Sequence, residues 1–319
     1  MLKILQREDW VAEIEKVRPL KMNEELSVVS FLCQEYALVP AYFLYHIKNN
    51  LVISYVALTK RKKIIHPSHF FYSSFWIKET LSENQYCEYL DGFLNALLKL
   101  YQRVEIKLPV GIDDMRPFLW QHFSVNNYYT YLKKLDSLDY HTVTEKNIRK
   151  AREIGYECRW EPLTKTSLEL NLQIFKDFKV YSSTSIRKIE RLMLAMQRNR
   201  YLASFNCYNN DELVASNLIF LDKNNKIAYT VLLNKTSRSN KDDVHSLLHD
   251  FFFTKLNEDG YECVDLLGGD MRGIAPFKSR FNTVLKPHFV VKFERKNAAV
   301  KKGIATLKYV VKKFLAKIN

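Results

Sequence analysis

The chain has 319 residues, with 49 Lys or Arg against 35 Asp or Glu, a formal charge of +14. Hydrophobic residues make up 47% and aromatics 13%, enough for real cores, so wholesale disorder is excluded. The 8 glycines fall well below the usual share of roughly 7%, which rules out collagen-like and glycine-rich scaffolds. At about 100–200 residues per domain, the length predicts two domains. Cys33, Cys87, Cys158, Cys207 and Cys263 are scattered and form no CxxC, so zinc ribbons and thioredoxin-type motifs are unsupported. Isolated thiols in odd number suit a reducing compartment. The N-terminus meets charge at Lys3 and Arg7, and the most apolar stretch, 28–47, is interrupted by Gln34, Glu35 and Pro40. We therefore expect no secretory signal, no transmembrane segment, and a soluble cytoplasmic protein.

In chain order, strands are predicted at 43–47 and 51–58 around an Asn49-Asn50 turn, then a helix at 83–101 and a strand at 104–108. A helical piece at 113–122 and a strand at 128–135 close the first half. A basic helix over 144–152 follows, with Thr144 as its expected cap and Gly155 as its stop. Two more helices, 168–180 and 184–199, come next, the latter with Ser183, Thr184 and Ser185 supplying capping oxygens. Strands at 201–208, 213–221 and 227–233, separated by Asn-rich turns, read as an antiparallel meander. Val244, Leu247, Leu248, Phe251, Phe252 and Leu256 mark a helix that starts beside Asp242-Asp243 and stops at Gly260. A strand at 263–267 runs into Gly268-Gly269, a short helical piece spans 276–281, and a last strand covers 288–293. From Lys292 to Asn319 there are nine Lys or Arg against Glu294 alone, with apolar residues at three- and four-residue steps. This predicts a basic amphipathic C-terminal helix, whose partners would be its own core, RNA or an anionic membrane surface.

The order of elements repeats. Asn49-Asn50 and Asn209-Asn210 are 160 residues apart, as are Glu105 and Asp265 on corresponding strands. Asp114-Met115-Arg116 before Pro117-Phe118 echoes Asp270-Met271-Arg272 before Pro276-Phe277. The expected fold class is α+β: two tandem domains, 1–140 and 141–319, each a mixed, mostly antiparallel sheet flanked by helices.

The sequence here resembles the GNAT acyltransferases, and in tandem form the Fem-type peptidyltransferases and related acetyltransferase domains. The residues that carry the resemblance are Asn147-Ile148-Arg149-Lys150-Ala151 within the basic helix, and Val264-Asp265-Leu266-Leu267-Gly268-Gly269 followed by Phe277-Lys278-Ser279-Arg280-Phe281. They are similar to the family's basic helix and its D-F-G-G … F-K-x-x-F signature. Leu267 adds a position before the glycines, and Asn282 stands where a glycine commonly follows the final Phe. The first half has Phe118-Leu119 where the second has Phe277-Lys278, so the complete site is expected in the second domain only.

The resemblance implies transfer of an acyl or aminoacyl group from a phosphate-bearing donor, acyl-CoA or aminoacyl-tRNA, to an amine acceptor, with no tightly bound cofactor. It places Lys278 facing the donor, where an ammonium neutralises phosphate or developing negative charge. Arg280 is its companion for donor binding. Asp265 is either a general base or a partner for backbone donors at the glycine corner; Tyr229 is a candidate proton donor to the leaving group or a core residue. Donor phosphates are expected where the third meander strand meets the long helix, at Ser237, Arg238, Ser239, Asn240 and Lys241, because helix N-termini bind anions. That stretch has no glycine, unlike the usual coenzyme A pattern. Arg149, Lys150, Gly268 and Gly269 are candidates for substrate or tRNA contact. The alternative reading is an inactive GNAT-like module that binds RNA or an anionic surface.

Other constellations fail on their chemistry. His245 and His249 have metal spacing but no Glu follows His245, so no H-E-x-x-H zinc site forms and helix-packing or surface histidines are expected. Ser185-Ile186-Arg187-Lys188 lacks a K-T-G companion. No G-x-S-x-G and no G-x-G-x-x-G occurs, which disfavours hydrolases and dehydrogenases. No metal site is expected.

Overall fold

The structure is a computed structural model that describes residues 1–177, 181–237 and 243–296. Its first elements are β1 (Leu2–Leu5), α1 (Arg7–Glu15), α2 (Leu26–Tyr36), β2 (Val39–Ile47), β3 (Asn50–Lys60), β4 (Lys63–Ile64) and β5 (Ser74–Ile77). Then come α3 (Glu83–Leu100), β6 (Arg103–Lys107), α4 (Arg116–Trp120), β7 (Ser124–Lys134), α5 (Thr142–Glu153) and β8 (Glu157–Glu161). The rest are α6 (Lys165–Asp177), α7 (Ser183–Arg198), β9 (Leu202–Asn209), β10 (Glu212–Asp222), β11 (Ile227–Lys235), α8 (Val244–Glu258), β12 (Cys263–Asp265), α9 (Ala275–Ser279) and β13 (Val284–Glu294). Helices and mixed sheet together make an α+β fold. Two compact units emerge: one holds Met1–Arg18, Leu32–Tyr128 and the described residues from Pro287 on, the other Pro19–Phe31 and Tyr129–Lys286.

In the first unit the strand order is β1-β2-β3-β4-β6-β13, with β5 also paired to β3. β3 is buried from Leu51 to Thr59, and its sequence is correspondingly an almost unbroken apolar run, the pattern of a strand covered on both faces. The stripe Leu90, Phe93, Leu94 and Leu97 of α3 supplies one cover, with Phe93 edge-on to Phe75 at 5.7 Å. Burying each such side chain contributes about 1.5–3 kcal/mol. α3 starts cleanly because Ser82 and Gln85 form a capping box. α1 is anchored by Trp10, fully buried, whose Nε1 donates to the Phe43 carbonyl at 3.1 Å.

In the second unit the order is β7-β12-β11-β10-β9-β8, antiparallel except for the parallel β11–β12 pair. Its core gathers Phe205 from β9, Phe252 and Phe253 from α8, Val264 from β12, and Phe281. α5 lies along α8, and Arg152 pairs with Asp250 at 2.7 Å.

Three local expectations are corrected. Thr144 is not the cap of α5; the helix begins two residues earlier, and the buried Thr144 hydroxyl donates to the Arg280 carbonyl at 3.3 Å. The cap of α7 is Ser182, whose hydroxyl accepts from the Ser185 amide. β12 ends at Asp265 rather than at 267, because Leu267 and Gly268 take positive φ, 50° and 51°, and turn the chain out of the sheet. Elements β1, α1, α2, β4, β5 and β8 escaped the sequence reading. The expected C-terminal helix lies outside the described residues, apart from its first residues at the end of β13.

Candidate functional site

β11 pairs in parallel with β12 only over Ile227–Cys263, Ala228–Val264 and Tyr229–Asp265. β11 then continues to Lys235 while β12 stops at Asp265, so the parallel pairing ends there and the strands part. A bulge opposite Leu218 and Ile219 on β10 bends β11 at the same level. At the throat, the Thr230 hydroxyl donates to the Leu266 carbonyl at 2.8 Å. Gly269 seals the far wall: a Cβ there would lie 2.7 Å from the Tyr129 backbone oxygen, so only glycine fits against β7. The Gly269 amide donates to that oxygen at 2.9 Å, and the Tyr129 amide donates to Asp270.

Lys278 projects into this throat from α9. Its ammonium donates to the Leu266 carbonyl at 2.7 Å and to the Leu267 carbonyl, and lies beside Gly268, where a Cβ would come within 3.5 Å of Nζ. The residue is only 8% exposed. Burial pushes its pKa down to about 8, against the opposing pull of the Asp265 carboxylate. Two of the three ammonium donors are engaged by those carbonyls, which leaves one for a further acceptor. Asp265 is buried, and its Oδ1 accepts from the Thr130 hydroxyl and from the Leu267 amide at 2.9 Å. The carboxylate thereby holds the backbone turn whose carbonyls hold Lys278. Asn282, where the resembling family commonly has glycine, adopts φ 49°, a conformation that Asn tolerates better than most side chains.

The other predicted residues fall variously. Tyr229 sits half-buried on β11 in register with Asp265, and burial, reinforced by nearby carboxylates, raises its pKa well above the ordinary value, so it stays protonated. Gly268 and Gly269 form the corner just described. Arg280 is exposed at the end of α9, and its carbonyl accepts from the His141 amide at 2.9 Å, so its backbone caps α5. Arg149 and Lys150 are exposed on α5. Ser237 is exposed just past β11. Arg238, Ser239, Asn240 and Lys241 lie outside the described residues. α8 begins after Asp243 at φ 51° with no side-chain cap, unlike the self-capped α3.

Sequence reasoning missed Thr130 and Thr230, whose hydroxyls join Asp265 and Leu266 across long sequence gaps. Of the two readings for His245 and His249, packing inside the fold rather than surface exposure is the one observed. Both are neutral, with pKa values pushed down to about 3 by burial; His249 stacks on Phe281 at 4.8 Å, and His245 Nε2 is buried without a partner. Among the described residues, cavities of about 720 and 400 Å³ are lined by first-unit residues, Lys3 and His46 in one, Lys78 and Gln85 in the other. Among the described residues no cluster of three His, Cys, Asp or Glu could hold a metal ion, and no helix is long and apolar enough to cross a membrane.

Parallel strands β11 and β12, paired over three residues and then parting, belong to a mixed sheet flanked by helices. No family model and no curated protein matches the chain. Solved structures do. A crystal structure of FemX aligns with a TM-score of 0.61 at 10% identity, covering 91% of this chain and 96% of that one. The C-terminal domain (DUF2156) of a putative lysylphosphatidylglycerol synthetase from Agrobacterium fabrum aligns at 0.55 and 10% identity, covering 95% and 97%. L-PGS from Bacillus licheniformis aligns at 0.54 and 13% identity, covering 92% and 93%. At such identities the likeness is one of fold: the chain has a Fem-like tandem GNAT fold, as its two motifs implied.

Proposed function

We propose that the chain is an acyl- or aminoacyltransferase whose reaction takes place at the Lys278 throat. The observation that carries this reading is a buried ammonium with one donor to spare, fixed where β11 and β12 part. In the proposed reaction an amine nitrogen attacks the donor carbonyl carbon, so a C–N bond forms. The C–S bond of a thioester, or the C–O bond of an aminoacyl ester, then breaks. Lys278 stabilises the oxyanion of the tetrahedral intermediate. In this reading Tyr229, protonated over the working range, gives its phenolic proton to the leaving thiolate or alkoxide, and the proton released by the attacking amine restores the phenol, so one proton passes from amine to leaving group. Asp265 acts as a positioning residue through the Leu267 turn. Donor phosphates would sit near Ser237 and the start of α8, where the residues from Arg238 to Lys241 add cations and small polar groups.

The names of the solved neighbours support the class: FemX, and a domain of a putative lysylphosphatidylglycerol synthetase. No resident cofactor enters the reading, and the donor is a substrate, acyl-CoA or aminoacyl-tRNA. The lack of glycine between β11 and α8 favours the tRNA-linked donor. The test is equilibrium titration of the full chain with coenzyme A and with charged tRNA. Saturable binding of one, weakened at least tenfold by Lys278→Ala in a folded variant, supports the reading. Wild-type binding by Lys278→Ala, or no binding of either donor, overturns it.

A further inference from the structure

The larger cavity of the first unit, about 720 Å³, lies between α1 and the β1–β2 pair. That size falls in the range of small-molecule sites, roughly 300–1,000 Å³. Its walls follow from the local structure. On α1, Trp10 and Ile14 are buried, and Trp10 is fixed to the Phe43 carbonyl of β2. Asp9 and Glu13, one helical turn apart on the adjoining face, line the cavity. From the sheet come Lys3 and Leu5 of β1 and Leu44 and His46 of β2, with Lys3 in register with Leu44. The β2–β3 turn closes one end. Its two central residues, Lys48 and Asn49, take positive φ, 47° and 67°, as a tight two-residue hairpin requires, and this sets Lys48 on the lining.

The charges divide by wall. The helix side carries the carboxylates of Asp9 and Glu13, the strand side the ammonium groups of Lys3 and Lys48. Glu13 is held below the usual carboxylate range by its hydrogen bond from Lys16, with smaller help from His46 and Lys3 across the cavity. Yet no ion pair closes the gap: among the described residues, no hydrogen bond or ion pair engages the side chains of Lys3, Lys48 or Asp9. On the strand side His46 Nδ1 is buried without a partner. Burial, and then Lys3, push the His46 pKa down, so the ring is neutral at pH 7 and can donate or accept. Leu5 and Leu44 supply apolar surface between the charged groups. A simple anion would meet the lysines but be repelled by Asp9 and Glu13, and a simple cation would suffer the reverse. A molecule with an ammonium and a carboxylate satisfies both walls, and an apolar side chain covers the leucines.

We propose that this cavity binds a free α-amino acid with an apolar side chain, its ammonium toward Asp9 and Glu13 and its carboxylate toward Lys3, Lys48 and His46. The site belongs to the first unit and stands apart from the chemistry at Lys278, so the donor titration and the test below can fail separately. The test is calorimetric titration of the full chain with leucine, N-acetyl-leucine and leucinamide. Leucine should bind saturably. N-acetyl-leucine lacks the ammonium and leucinamide the carboxylate, and each should bind at least roughly tenfold more weakly, the loss of one charge-assisted contact. Asp9→Asn should erase the preference over N-acetyl-leucine, and the double substitution Lys3→Gln, Lys48→Gln the preference over leucinamide. All three positions are exposed, so the thermal melts of the variants should match that of the wild type. Should the double variant melt early, Asp9→Asn alone decides. No saturable leucine binding up to about 10 mM, equal binding of the three compounds, or a preference that survives in its variant overturns the proposal.

Discussion

Lys278→Met preserves the length of the side chain and removes its charge, so it separates the cost of a buried ammonium from its use. In the folded chain the Lys278 pKa is lowered from 10.5 to about 8 by burial. A gap of that size corresponds to about 3 kcal/mol of cost to the fold at pH 7, where the folded and unfolded states both hold the proton. Against this, the variant leaves the Leu267 carbonyl without its donor, at about 1–3 kcal/mol. The Leu266 carbonyl keeps the Thr230 hydroxyl. The two effects nearly cancel, so Lys278→Met should unfold in urea at pH 7 within about 1 kcal/mol of wild type, or slightly above it. Between pH 8 and 10.5 the folded wild-type chain releases a proton that its unfolded state still binds, so wild-type stability rises there relative to the variant. Donor binding by the variant should fall below about pH 8, where wild-type Lys278 is charged, and the difference should narrow as pH rises above that value. A variant destabilised by more than about 3 kcal/mol at pH 7, with no change in that difference at pH 10, would refute the reasoning. The ammonium would then be a structural strut.

Gly269→Ala should destabilise by about 2 kcal/mol, since its Cβ would press on the Tyr129 backbone, whereas Gly273→Ala, with nothing within 4 Å, should stay within about 0.5 kcal/mol; paired thermal melts decide. Asp265→Asn removes the carboxylate that raises the Lys278 pKa, so the Lys278 ionisation should move below about 8, read as a downward shift of the alkaline inflection in donor binding. Tyr229→Phe should cut transfer about 100-fold with little change in donor affinity if the phenol protonates the leaving group; an unchanged turnover would return Tyr229 to the core.

Legibility from the sequence followed burial pattern. α3 was readable because Leu90, Phe93, Leu94 and Leu97 repeat at helical spacing. The meander β9 to β11 was readable because Asn-rich turns divide apolar runs. β8 was not, since Glu157–Glu161 is an edge strand with charged residues at three of its five positions. Lys278 was singled out by its F-K-x-x-F context, but its two carbonyl partners depend on Leu267 taking a left-handed turn, which nothing in a Leu announces. Thr130 meets Asp265 from 135 residues away, and only the β7–β12 register brings them together. The interleaving of the two units along the chain is likewise a property of strand pairing, invisible to local periodicity.

The most direct measurement of the central claim is a crystal structure of the chain grown with coenzyme A or with an aminoacyl-adenosine that represents the tRNA 3′ end. The account predicts the donor's carbonyl oxygen within hydrogen-bonding reach of Lys278 Nζ, where β11 and β12 part past Tyr229 and Asp265. A donor bound elsewhere, with the Leu266 and Leu267 carbonyls still closing over an uncontacted ammonium, would contradict it.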